Sequence, residues 1–364
     1  MRALKSDRIF FFTVLFITLI GLFILISASM GLLTRSGATF YSVISRQLLL
    51  GLGLGFLFLN ITSRIPYKYW KKIALPFLLL SFVLAIFVFI PQTGFSYGGA
   101  RRWIKVGSIF FQPSEILKFS FVVYLAAYLS AKRKNIESLK DGFIPFLGIL
   151  IFSGALIFLE PDFGTLGVMI LTGGLLFLIA GGKAGHFGIL ILIGLIFLAT
   201  LFFIKPHARS RITVFFHPVS DTKGSGYQLQ QSKIAIGSGG LFGKGFGMSA
   251  QKFNYLPEPI GDSIFAVYGE EFGFIGVITL VGLFLFFAHR GLKISRESPE
   301  VFSRLLGSGI VILITSQAFI NIGSMVGIVP LTGLPMTFVS QGGTALALAL
   351  AESGVLINIS KYQR

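Results

Sequence analysis

Ten stretches of the chain, residues 9–29, 47–61, 73–90, 114–131, 145–159, 164–180, 187–204, 263–288, 305–325 and 342–359, are strongly apolar and poor in charge. A helix crosses a bilayer with about 20 such residues, because lipid offers the backbone no hydrogen-bond partner and the intrahelical ladder must satisfy it. Ten of them in 364 residues leave no room for a large water-soluble domain. Composition agrees: 12% of residues are charged and 41 are Phe, against about 25% charged in soluble globules. The sequence therefore predicts an all-α, polytopic integral membrane protein of about ten transmembrane helices, organised as one membrane domain over residues 1–364. The first stretch follows a short basic N-terminus and runs into Gly31-Leu32-Leu33 without a small-residue cleavage signal. It is expected to remain as an uncleaved span.

Charge sets the expected orientation. The termini and the loops after even-numbered spans hold 18 Lys and Arg, among them Arg2, Lys5, Arg64, Lys71, Arg133 and Arg364. That side is predicted to be cytoplasmic, with both termini on it. The short opposite loops hold only Arg35, Arg101, Arg102 and Lys105. The long segment 205–262, between helices 7 and 8, is exempt from the count because long loops translocate largely regardless of charge. It is the expected extracytoplasmic loop and the place for external function. A net charge of +17 raises the question of nucleic acid, but no basic helix or aromatic reading motif is present. The absence of Cys removes disulfides, thiol catalysis and Cys-held metals together. His186, His207, His217 and His289 show no metal-ligand spacing, and no Ser-His-Asp motif exists.

Nine acidic residues fall outside the cytoplasmic side: Glu115, Glu160, Asp162, Asp221, Glu258, Asp262, Glu270, Glu271 and Glu352. A carboxylate near lipid is costly and has a partner or a task. Asp262 closes the long loop where span 8 begins, either as an N-cap of that helix or as a base facing a sugar hydroxyl. Glu258, four residues earlier, is either its partner or a solvated loop acid. Glu270 and Glu271 either line the same cavity or pair with Lys118 or Arg46 inside the spans. Arg101, Arg102, Trp103 and Lys105 form a short outer loop suited to gripping phosphate and stacking on sugar, or a membrane-boundary belt. Gln112-Pro-Ser-Glu115 opens span 4, with Lys118 one turn on: either an i,i+3 ion pair or a cation facing a cavity. Residues 237–247 carry six glycines, too many for a stable helix, and form either a hinge or a backbone nest for pyrophosphate aided by Lys244 and Lys252. They do not fit a nucleotide P-loop, since 238 is Ser and 245 is Gly. Glu160-Pro-Asp162-Phe-Gly-Thr reads either as a turn plus helix cap or as a ligand contact, while residues 227–236 have helix-compatible composition.

Read in order, Gly99-Ala-Arg-Arg-Trp-Ile104, Phe111-Gln-Pro-Ser-Glu-Ile-Leu-Lys118, Glu160-Pro-Asp-Phe-Gly-Thr165 and the stretch from Gln231 to Gly245 resemble the motifs of the SEDS family. So do Gln251-Lys-Phe-Asn-Tyr-Leu-Pro-Glu-Pro259, Asp262, Gly269-Glu-Glu271, Pro330-Leu-Thr-Gly-Leu-Pro335 and Phe338-Val-Ser-Gln-Gly-Gly-Thr344. These are the membrane peptidoglycan glycosyltransferases of cell shape, division and sporulation. The run 251–259 and Asn358-Ile-Ser-Lys361 are more similar to the division branch (FtsW) than to the elongation branch (RodA). The chain differs from the usual family pattern at Ile260, Gly261, Ser263 and Gln341.

The resemblance implies polymerisation of lipid II into glycan strands at the outer face of the bacterial cytoplasmic membrane during cell division, with Asp262 as general base. It implies release of undecaprenyl pyrophosphate, and substrate contacts from Arg101, Arg102, Trp103, Gln112, Glu115, Lys118, Lys244 and Glu258. A divalent metal, Mg or Mn, would be compatible with it, without identifiable ligands. The implied partners are a class B penicillin-binding transpeptidase and divisome membrane proteins. The competing expectations are a lipid II flippase, an elongation-type polymerase and a non-catalytic scaffold.

Overall fold

The computed structural model describes the chain except for residues 1–5, 35–36, 98–99, 108, 205, 218–220, 222–223 and 364. Arg2, Lys5, Arg35, Gly99, Lys205 and Arg364 of the sequence reading lie outside the described residues. All ten expected spans are helical. Among the described residues, eight helical segments are long and apolar enough to cross a membrane, and two shorter apolar helices accompany them. They are α1 (Arg8–Ser29), the α2–α3 rod (Gly37–Arg46 and Leu54–Arg64, joined by a π-helical turn), α5 (Ala74–Ile86) and α6 (Pro113–Ala131). Then follow α7 (Ile144–Leu159), α8 (Phe163–Ile179), α9 (Ala184–Ile204), α12 (Ile264–Glu297), α13 (Val301–Val326) and α14 (Gly343–Ser360). The short α4 (Tyr67–Lys72) links α3 to α5.

Helices α6, α13 and α14 form the buried centre, whereas α9 is almost wholly exposed at the rim. Exposed Phe12, Phe16, Leu80, Phe152 and Ile196 make an apolar exterior that water would not tolerate and lipid does. Polar contacts tie the centre together: Thr62 Oγ1 donates to Ala351 O at 2.8 Å, and Ser81 and Ser120 hydroxyls meet at 2.7 Å.

The structure departs from the sequence reading in four places. Residues 94–111, read as a loop, fold into a three-stranded antiparallel sheet, β1 (Gly94–Tyr97), β2 (Ala100–Val106) and β3 (Ile109–Phe111), in the order β1-β2-β3. The long loop carries α10 (Pro206–Phe216) as well as the anticipated α11 (Ser225–Ser238). The eighth span reaches Glu297, well past residue 288, and is broken at Gly273 (φ 63°, ψ −163°). Finally, Glu270 and Glu271 pair with neither Lys118 nor Arg46, as set out below.

The break has a clear local cause. A kink inside a membrane frees carbonyls and amides that lipid cannot satisfy. Here the glycine-rich loop satisfies them: Lys244 N and Gly245 N donate to Glu270 O and Glu271 O (3.0 and 2.9 Å). In return Phe274 N and Ile275 N donate to Gly240 O and Leu241 O (2.9 and 3.1 Å). A Cβ on Gly273 would lie 2.3 Å from Gly243 N, so only glycine allows the loop to enter.

Candidate functional site

The glycine-rich loop is pinned by charge as well. Lys244 Nζ pairs with Glu270 Oε1 at 2.6 Å and Lys252 Nζ with Glu271 Oε1 at 2.7 Å, the second pair fully buried. Ser27 Oγ on α1 donates to Glu271 Oε2 at 2.5 Å and Ser249 Oγ to Glu270 Oε2 at 2.5 Å. The acids that sequence spacing placed near Asp262 are thus the anchors of this loop, and Lys244 is drawn into that anchor.

Lys118 sits in a second cluster, inside the bundle. Its ammonium pairs with Glu115 at 2.8 Å, one turn away on α6, and donates to Gln317 Oε1 at 2.5 Å on α13. The i,i+3 pair is present, and Glu115, Lys118, Gln317 and the buried Glu352 line a cavity of about 20 Å³. That volume holds about one water.

Asp262 lies in a third place, held from several sides. Four consecutive residues are tethered. Gln341 N donates to Ile260 O (2.8 Å), Ser340 Oγ to Gly261 O (2.7 Å), Asn321 Nδ2 to Asp262 O (2.7 Å) and Gln228 Nε2 to Ser263 Oγ (2.9 Å). Of the positions where this chain differs from the family pattern, Ser263 alone gives a side chain to the strap, its hydroxyl accepting from Gln228; Ile260, Gly261 and Gln341 contribute main-chain groups. Asp262 does not cap span 8. Ser263 occupies the cap position, and no side-chain cap bond forms.

The Asp262 carboxyl is left for other work, its Oδ1 buried without a hydrogen-bond partner. Burial pushes its pKa up to about 6, Glu258 adds to the rise, and the Gln228 amide and the Arg211 guanidinium oppose it. The carboxyl is thus a base at neutral pH that is ready to take a proton.

Arg211, on α10, is the residue that sequence reasoning missed. Its Nη1 donates to Thr332 O at 2.9 Å. Gly333 has φ 68°, and the point where a Cβ would stand on it lies 3.5 Å from Arg211 Nη2 and 3.8 Å from Asp262 Oδ2. A bare glycine leaves this space open between cation and carboxylate.

On the far side of segment 332–334 stands the start of α8. Asp162 caps it, accepting from Thr165 N at 3.2 Å and Thr165 Oγ1 at 2.8 Å, as its turn-plus-cap reading predicts. Arg102 reaches across from β2, donating Nε to Glu160 O at 3.2 Å and Nη2 to Pro161 O. Glu160 is buried, both carboxyl oxygens lack a partner, and burial with the neighbouring Asp162 raises its pKa to about 8. Arg101 and Lys105 are exposed on the same strand, Trp103 is half-buried opposite Phe95, and Gln112 caps α6 without a side-chain bond. The structure thus brings Glu258 and Arg211 within electrostatic reach of Asp262, and Arg102 within reach of Arg211. It assigns Glu115 and Lys118 to the interior cavity and Lys244 to the loop anchor. Among the described residues no group of three or more His, Asp and Glu converges as metal ligands do.

This architecture, a helical bundle with a broken span and a strapped carboxylate at a loop–span junction, defines a class of membrane-embedded protein. Residues 7–364 match the FtsW/RodA/SpoVE family, described as cell cycle proteins, and the chain belongs to that family. It is 38% identical to stage V sporulation protein E of Bacillus subtilis, over 99% of this chain and 98% of that protein. It is 39% identical to a probable peptidoglycan glycosyltransferase FtsW of Coxiella burnetii, over 94% and 92%. Among solved structures, it matches a chain from the work "Structural coordination of polymerization and crosslinking by a peptidoglycan synthase complex" with TM-score 0.79 and 26% identity, covering 99% of each. The rod shape determining protein RodA of Thermus thermophilus matches with TM-score 0.72 and 26% identity, covering 99% and 98%.

Proposed function

We propose that this chain is the inverting polymerase that joins lipid II units into glycan strands at the outer face of the cytoplasmic membrane. The single observation that carries the reading is the Asp262 carboxyl, strapped at four successive residues, with one oxygen unpartnered and a pKa near 6. The family and the glycosyltransferase relatives support it. Asp262 accepts the proton of the acceptor's sugar hydroxyl as that oxygen attacks the donor's anomeric carbon, the bond to undecaprenyl pyrophosphate breaks, and the configuration inverts. Base assistance of this kind is worth about 10²–10⁴-fold. Arg101, Trp103 and Glu258 contact the sugars and the acceptor at the rim.

The charge distribution of the loops supports cytoplasmic termini. The work on a complex coupling polymerization to crosslinking supports a class B penicillin-binding transpeptidase as partner. The FtsW relatives and the run 251–259 favour a role in division, alongside other divisome membrane proteins. A flippase would need Glu270, Glu271 and Lys118 along a path for the headgroup, but Glu270 and Glu271 are held by Lys244 and Lys252 in the loop anchor and the cavity that Lys118 lines, about 20 Å³, does not pass one. The test is the purified full chain with lipid II and its transpeptidase partner, reading glycan length. Asp262→Asn abolishes polymerisation while keeping the fold and the partner; polymerisation at the wild-type rate in that variant refutes the assignment.

A further inference from the structure

Arg211 and Arg102 approach the Asp262 cleft from elements far apart in sequence, α10 and β2. Both are anchored on neutral main-chain carbonyls, Thr332 O for one and Glu160 O and Pro161 O for the other. Asp262 and Asp162 are the acids within electrostatic reach of Arg211, but its hydrogen bond goes to a neutral carbonyl, and a guanidinium's planar fork matches phosphate oxygens. The two cations are close enough that Arg102, together with burial, lowers the pKa of Arg211. Bringing like charges together costs free energy that a bound anion would repay.

The segment between them is thin. A Cβ on Gly164, at the start of α8, would lie 3.0 Å from Thr332 O, so this helix packs directly on the strip that Arg211 grips. At the next residue of that strip, Arg211 Nη2 and Asp262 Oδ2 border the same small space at Gly333. A cation and a base around one space suit a displacement in which a proton is lost at one end and negative charge appears at the other.

We propose that Arg211 is a catalytic residue of the transfer, holding the donor's diphosphate jointly with Arg102. The inference rests on the glycosyl transfer reading above. In the balanced step the acceptor oxygen bonds to the anomeric carbon and its proton passes to Asp262. The electron pair of the breaking carbon–oxygen bond stays on the diphosphate, whose added negative charge Arg211 stabilises. Arg102 fixes the second phosphate. Gly333 supplies the room, since a larger side chain there would stand between guanidinium and carboxylate.

The test uses the full chain in lipid nanodiscs, with undecaprenyl diphosphate and undecaprenyl monophosphate as probes in a direct binding measurement. The wild type binds the diphosphate at least about tenfold more tightly, as expected for a lost bidentate charge contact. Arg211→Gln brings the two affinities together and lowers the kcat of polymerisation by about 10²-fold. Arg102→Gln, a change on the half-exposed strand, narrows the same preference and serves where Arg211→Gln does not fold. Asp262→Asn keeps the diphosphate preference. A preference unchanged in both arginine variants, or a loss of both ligands to the same degree, overturns the proposal. Wild-type polymerisation in Asp262→Asn would instead remove the transfer reading and leave the binding result standing.

Discussion

Asn321 Nδ2 donates at 2.7 Å to the main-chain carbonyl of Asp262 and, also at 2.7 Å, to that of Leu334. One fully buried amide on α13 thus holds two strands of irregular backbone together, the loop that bears the base and the strip that borders its cleft. Gln317, one turn earlier on the same helix, does the same between Lys118 and Pro335 O, at 2.5 and 3.0 Å. Through this one helix face, the interior cluster and the outer cleft share a support.

Asn321→Ala leaves two carbonyls unmet and is expected to cost about 2–3 kcal/mol of stability. Because the loop that bears the base and the strip that Arg211 grips both lose a tether, kcat should fall by about tenfold. Initial rates of glycan growth at several lipid II concentrations, beside a thermal melt, separate the two effects. An Ala variant with unchanged kcat would show that Asn321 positions nothing.

The Asp262 pKa of about 6 sets a pH profile. The carboxyl must be ionised to act, so polymerisation should rise from pH 5 to 7 and be down about tenfold at pH 5. Stability runs the opposite way. The folded pKa lies above the ordinary carboxylate value of about 4, so the folded state holds the proton more tightly than the unfolded chain, and stability is lost as pH climbs through that interval. Asp262→Asn should therefore melt higher than wild type at pH 7.5, by roughly 2 kcal/mol, with the gap closing below pH 4. An inactive variant that is also more stable is the signature of a carboxylate kept for chemistry.

The spans were legible in sequence because apolar length is a one-dimensional signal, and each of the ten became a helix. Asp262 was legible because a carboxylate at the end of a hydrophilic loop stands out against an apolar run. Its alternative as a helix cap fails for a reason that sequence does not carry, namely that Ser263 takes the cap position. The sheet was missed because its strands are short and the central one carries Arg101, Arg102 and Lys105, with the signal of a loop. The break at Gly273 was hidden inside an apolar stretch, where one more glycine says little. Arg211 sits in the segment whose charges do not report orientation, so nothing in its spacing marked it. The partners of Glu270 and Glu271 lie about 20 to 30 residues back, on a loop that folds onto the broken span; the same proximity in sequence carries no hint of which lysine meets which acid.

The Lys252–Glu271 pair, 2.7 Å apart with no solvent contact, is expected to behave as a structural unit. Lys252→Met leaves Glu271 as an uncompensated buried charge and should cost about 3–5 kcal/mol. Combining it with Glu271→Gln should recover most of that loss, since removing both charges also removes their desolvation cost. Thermal melts of the two single variants and the double variant make the cycle. Strictly additive losses would place the two side chains out of contact.

Glu160 offers the cleanest titration outside the spans. It is 1% exposed, neither carboxyl oxygen has a partner, and burial lifts its pKa to about 8. The sign follows from the linkage: the folded chain keeps this proton up to about pH 8, while the unfolded chain releases it near the ordinary value of about 4.3. Wild-type stability is therefore drained steadily as pH rises between these limits. Gln keeps the shape of the neutral carboxyl and has no proton to lose. Glu160→Gln should melt close to wild type at pH 4.5 and progressively above it toward pH 8, with a final gap on the order of 5 kcal/mol. Arg102, which grips the main chain of Glu160 and Pro161 rather than the carboxyl, stays in place, so polymerisation should change less than twofold. A stability difference that is flat with pH would mean that Glu160 is ionised in the folded chain, with a cation close enough to hold it so.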